Sequence, residues 1–112
     1  MKHTNYKVAE AKQNPHKIDA RLLYNQASAQ AVHLTLKAGE SLKPHITPVD
    51  VFFYVLEGNP TVLVGKEEFT AEKDELIESP AHIVHCIRNK SDSIARVLVV
   101  KAPRPVAKSK VL

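Results

Sequence analysis

Apolar residues in this chain come only in short runs, and turn-forming residues cut each run from the next. Residues 32–36 alternate apolar side chains with His33 and Thr35. Residues 49–56 are rich in β-branched and aromatic types, and further runs follow at 62–64, 76–77, 83–87 and 94–100. Between them stand Lys37-Ala38-Gly39, Glu57-Gly58-Asn59-Pro60, Val64-Gly65-Lys66, Ser79-Pro80 and Asn89-Lys90-Ser91-Asp92, all with turn chemistry. Strands repeated at such intervals predict an all-β sandwich or barrel. One stretch is ambiguous. Within residues 19–37, Leu22, Leu23, Ala27, Ala31 and Leu34 also fit a helical stripe, so a helix over residues 5–25 stays open beside a strand reading.

At 112 residues the chain has the length of one domain, able to bury roughly 65% of its unfolded surface without a staple. We expect a single domain over 1–112: a core at about 18–102, a polar N-terminal segment at 1–17 broken by Asn14-Pro15, and a basic tail at 103–112 containing Pro103 and Pro105. The lone cysteine, Cys86, has no partner for a disulfide or a zinc knuckle, which suits a reduced compartment. No apolar run nears the roughly 18 residues of a membrane span, and no apolar stretch follows the basic start as a secretory signal requires. The expected setting is cytoplasmic, with no membrane partner.

The formal charge of +4 raises the question of nucleic acid. Four cations (Lys101, Arg104, Lys108, Lys110) and no acid lie in residues 101–112, so the +4 is accounted for there and residues 1–100 are neutral. No basic stripe on the fold is implied, and the tail reads as a solvated terminus without a nucleic-acid partner.

Two segments carry a family resemblance. Residues 39–58, with Gly39, His45, Thr47, Val51 and Gly58, resemble the first motif of the cupins: Gly, five residues, His-x-His, three or four residues, Glu, six residues, Gly. Residues 73–89, with Pro80, His82, His85 and Asn89, are similar to the second: Gly, five to seven residues, Pro-x-Gly, two residues, His, three residues, Asn. The likeness covers roughly residues 30–101 and is nearest to small single-domain bacterial and archaeal cupins. It implies a double-stranded β-helix, or jelly-roll barrel. The departures fall on the chemistry, because Thr47 stands at a histidine position, Val51 at the glutamate position, Lys73 at a glycine and His82 at another glycine. Of four family metal ligands, His45 and His85 remain.

Strand alternation extends the reading, since residues two apart share a face. If His45 points inward, so do Thr47, Val51, Phe53 and Val55, and His85 shares its face with Ile83 and Ile87. The expected pocket lining is therefore Thr47, Val51, Phe53, Ile83 and Ile87. An apolar surround favours neutral imidazole, the form that binds metal. The resemblance implies a divalent ion such as Zn, Fe, Mn or Ni on His45 and His85, with His82 as third ligand from the Pro80 turn; the alternative for the first two is hydrogen-bonded core residues, and for His82 a surface turn. His3, His16 and His33 read as solvated or edge residues, and Cys86 as a small buried hydrophobe.

Two functions follow as expectations: a cupin binding a divalent metal, a small molecule or both, with isomerase or dioxygenase chemistry, or a non-catalytic ligand-binding or sensor cupin with a vestigial metal site. A homodimer is expected through an outward apolar set (Phe52, Tyr54, Leu56, or Val84 and Cys86), with residues 6–9 adding a strand to the partner.

Overall fold

In the computed structural model, which describes residues 1–107 and 109–112, the chain forms ten strands and, among the described residues, no helix. They are β1 (Asp19–Gln26), β2 (Ala29–Leu36), β3 (His45–Ile46), β4 (Val51–Glu57), β5 (Thr61–Val64), β6 (Glu67–Thr70), β7 (Leu76–Ser79), β8 (Val84–Arg88), β9 (Ala95–Lys101) and β10 (Lys110–Val111). Two five-stranded sheets result, in the orders β1-β2-β9-β4-β7 and β10-β3-β8-β5-β6, with every pairing antiparallel. This is the expected all-β jelly roll. Its hydrogen bonding does not close into one ring: the two sheets face each other and keep separate edges.

The inner faces follow from alternation. Burial along β4 and β9 switches residue by residue, turning Val51, Phe53 and Val55, and Ala95, Val97 and Val99, toward the opposite sheet. Leu34, Leu36, Leu42, Val62 and Ile87 complete one apolar core between the layers. Burying a Phe53-sized side chain contributes on the order of 2–3 kcal/mol.

Several expectations are corrected here. The ambiguous stretch is a β1–β2 hairpin turning at Ala27-Ser28, and a bulge between Leu22 and Tyr24 puts two leucines side by side, which is why the segment imitates a helical stripe. The tail is not wholly solvated, because Lys110 and Val111 pair with Ile46 and His45; Lys108 lies outside the described residues. Residues 6–9 turn onto their own chain, where the Arg21 guanidinium donates to the carbonyls of Tyr6, Lys7 and Ala9 at 2.9, 3.3 and 3.1 Å. Ala11 then bridges Arg21 on the free edge of β1.

Candidate functional site

β3 and β8 are paired so that His45 lies directly opposite His85, and residues opposed across a ladder share a face. Their Nε2 atoms are 3.1 Å apart and the rings meet edge to face. One backbone group orients the pair. His45 Nδ1 lies 2.8 Å from the Lys43 carbonyl, an acceptor only, so Nδ1 carries the proton and Nε2 offers a lone pair. His85 Nε2–H must then donate to His45 Nε2, and His85 Nδ1 accepts from the Ser79 hydroxyl at 2.7 Å. The network thus assigns both tautomers, and hydrogen bonds run in one direction from Ser79 through His85 and His45 to Lys43. Thr47 Oγ1, 3.2 Å from His85 Nε2, also meets the Ser109 hydroxyl at 2.9 Å, joining the tail to the pair.

The pair borders a cavity of about 560 Å³ between the sheets. Its walls are mainly apolar, with Ile18, Leu22, Leu34, Val51, Phe53 and Val99 among them. The polar side chains that reach it include His16, His45, His85 and Lys101, and among the described residues no Asp, Glu or Arg lines it.

His16 and Lys101 were not foreseen as site residues. His16, expected in solvent, is half-buried: its Nδ1 accepts from the Lys43 N–H at 2.8 Å, and its ring centroid lies 4.9 Å from that of His45. The Asn14-Pro15 turn makes this reach, because Asn14 Oδ1 accepts from the His16 N–H at 3.1 Å while its amide donates to Ile18 O at 2.9 Å. Lys101, counted among the tail cations, ends β9 on the inward phase of Val97 and Val99 and is paired with Val51. That alternation was a signal available in the sequence.

Burial is the first cause of every shift at the site. It lowers His85 and His16 to about 4, helped in both by the neighbouring His45 and by Lys101. His45 is lowered as well, against the bond to Lys43 that favours its charged form, and Lys101 is lowered by burial. At neutral pH all three imidazoles are uncharged.

The other predicted residues separate. Thr47, Val51 and Phe53 are buried, with Val51 and Phe53 lining the cavity and Thr47 beside the histidine pair. Ile87 lies in the core rather than on the cavity wall. Ile83 is 40% exposed, precedes β8 and packs near Gly65, so strand phase does not apply to it. His82 is exposed in a turn at φ 67°, its N–H donating to Thr47 O at 3.0 Å, and its side chain is absent from the cavity wall. His33 is buried rather than solvated: Tyr6 stacks on it at 4.2 Å and Arg96 donates to its Nε2 at 3.0 Å. Cys86 is fully buried, which raises its thiol pKa.

A divalent ion fits this donor set poorly. Two nitrogens 3.1 Å apart can both reach one ion at about 2.0–2.1 Å, once His85 passes its proton from Nε2 to Nδ1. The rest of the set is a hydroxyl, an apolar Val51, a lysine ammonium whose charge opposes a second cation, and His16, whose Nδ1 is already taken by the Lys43 N–H. Among the described residues no three His, Cys, Asp or Glu side chains are grouped to hold a metal.

Comparison with known proteins agrees with the architecture. The chain is 36% identical over 77 residues to the tetracenomycin polyketide synthase protein TcmJ of Streptomyces glaucescens, covering 65% of this chain and 52% of that protein, so it spans about half the relative's length. The structure of TT1209 from Thermus thermophilus superposes with a TM-score of 0.81 at 33% identity, over 94% of this chain and 100% of the other. The polyketide cyclase RemF from Streptomyces resistomycificus shares the fold, with a TM-score of 0.85 at 18% identity over 100% of this chain and 85% of that one. With the cupin-domain family model Cupin_2 matching residues 32–101 across both motifs, the chain belongs to the cupins.

Proposed function

We propose that the chain binds one small, largely apolar organic molecule with oxygen acceptors at one end, held in the cavity between the sheets without need of a divalent metal. The observation that carries this is the lining itself: about 560 Å³ of mostly apolar wall, with imidazole and amine groups and no described carboxylate. Such a site accepts electron-rich oxygens, whether carbonyl, phenolate or carboxylate, and rejects cations. The bodies of polyketides match it, being carbon frameworks with carbonyl or phenol oxygens along an edge. The names of TcmJ and RemF point to that class.

The 3.1 Å separation of the His45 and His85 nitrogens favours a second reading, in which they hold Zn, Fe, Mn or Ni with water completing the sphere. Titration with 2-naphthol and with each metal salt, followed by thermal shift and calorimetry, separates the two. We expect saturable naphthol binding that a chelator does not change, and an affinity loss of about tenfold in His45→Ala. Stabilisation by a metal alone, with no response to naphthol, overturns the proposal in favour of the metal reading.

A further inference from the structure

The inward row of β9 runs Ala95, Val97, Val99, Lys101, so the amine continues a line of core residues. Its neighbours across the sheet are Val51 on β4 and Gln30 on β2, and all three border the cavity. Among the described residues no carboxylate lines that cavity, and Lys101 makes no ion pair or side-chain hydrogen bond there. Lys90 by contrast meets a carboxylate, its Nζ lying 2.7 Å from Glu68 on the surface.

A primary amine with apolar neighbours and no counter-ion has two chemical uses. As an ammonium it would attract an anion. As a free amine it is a nucleophile toward carbonyl carbon. From the position of Lys101 at the end of an apolar wall, with three imidazoles around the same cavity and no carboxylate, we propose that Lys101 forms an imine with an aldehyde or ketone ligand. This rests on the cavity-binding reading and names the ligand's reacting group. The Lys101 ammonium first gives one proton to solvent. The nitrogen lone pair then forms the C–N bond while the carbonyl oxygen takes up a proton, giving a carbinolamine. The hydroxyl then takes up a second proton and leaves as water while the nitrogen lone pair forms the C=N bond. The nitrogen gives up its remaining proton, so that both protons of the neutral amine end on the departing oxygen and the imine is left. Nothing is oxidised or reduced. His16 is suited to serve the oxygen: its Nδ1 is occupied by the Lys43 N–H, which places its own proton on Nε2 as a donor. Burial supports the nucleophile by disfavouring the ammonium.

The test uses the full chain with 2-naphthaldehyde and sodium cyanoborohydride, which delivers hydride to an imine and fixes it as a secondary amine. Mass mapping of the adducts then locates the reacting lysine. 2-Naphthalenemethanol, of the same size and unable to form an imine, serves as the binding control by thermal shift. We expect one dominant adduct on Lys101, about tenfold or more above any other lysine at pH 7, because an aldehyde bound in the cavity is held beside that amine while surface lysines meet it only from solution. It should vanish in Lys101→Met, whose similar volume and apolar side chain preserve the wall, while the circular dichroism spectrum and unliganded melting temperature of that variant match the wild type, so that the loss is not a loss of fold. Adducts spread over surface lysines, or centred on Lys12 at the cavity's edge, overturn the imine. If the alcohol nevertheless stabilises the wild-type chain, the binding reading stands and only the imine is lost. If neither probe stabilises it or marks Lys101, both fail.

Discussion

Single residues show how closely the fold is fitted. At Gly58, with φ 78°, an added Cβ would run into the Ile94 carbonyl oxygen and lie 2.9 Å from Ala95 Cα, both backbone atoms that cannot move aside. Gly39, at φ 83°, has nothing within 4 Å of the same construction. Gly58→Ala should therefore cost about 3 kcal/mol and Gly39→Ala only about 1 kcal/mol, a contrast measurable by urea unfolding. The buried imidazoles make a second prediction. His85 titrates near 4 in the folded chain and near 6.5 when unfolded. Below pH 6.5 protons bind the unfolded chain preferentially, so stability should be flat above about pH 7, fall between 6.5 and 4, and level off below. For His85, on the order of 2 kcal/mol is expected after screening by water in the cavity, and unfolding at several pH values should show His85→Gln flattening that slope. The motifs made His45, His85 and Thr47 legible as neighbours, since each is fixed by local phase. His16 was not legible, because only the folded arm brings it to the pair. At Lys101 the charge suggests a solvated tail, while the strand phase carries the information that matters.

Elements differ in how much of their placement is local. Strands β4, β5, β8 and β9 were plain in the sequence because each is one apolar run between turn signals. β1 was not, since its bulge at Leu22 and Tyr24 breaks the alternation. β3 and β10 have two residues each, too short to carry any period, and they exist because β8 offers a template on which they stack. One side chain ties residues 6–9 of the N-terminal arm: Arg21 is held by Asp19 at 3.0 Å, and from that position it donates to three carbonyls of the arm. Arg21→Ala should release residues 6–9 and make the arm cleavable by trypsin at Lys7, with little change in global stability because the released segment lies outside the core. Unchanged proteolysis of the arm would show that Tyr6, stacked on His33 beneath Arg96, suffices to hold it.

For the molecule as a whole, the outer face of the first sheet is the surface least suited to water. Register places two rows across it, Ala31, Val100, Phe52 and Glu78, then His33, Leu98, Tyr54 and Leu76, with the Tyr6 ring covering His33 at the β2 end. Six of these eight are apolar or aromatic, and Leu76 is half exposed. Val84 and Cys86, the alternative outward set, do not make a comparable face, because Cys86 is fully buried. A depression of about 340 Å³ bordered by Phe52, Pro80, Glu78 and Val100 lies at one end of the face and can receive a projecting side chain. Its polar rim is small. Such a face meets an identical copy through a two-fold axis at little electrostatic cost, and a stable pairing of this kind needs about 800 Å² from each partner. We therefore expect a dimer by light scattering at micromolar concentration. Phe52→Lys should dissociate it, since two lysines would be desolvated near the axis, while leaving the cavity untouched because Phe52 alternates with the inward Val51 and Phe53. A wild-type monomer at that concentration, or a Phe52→Lys variant that still pairs, would refute this face as the interface. Lys101 lies on the opposite side of these strands and the His45–His85 pair on the facing sheet, so each protomer should bind 2-naphthol independently whether or not it is paired.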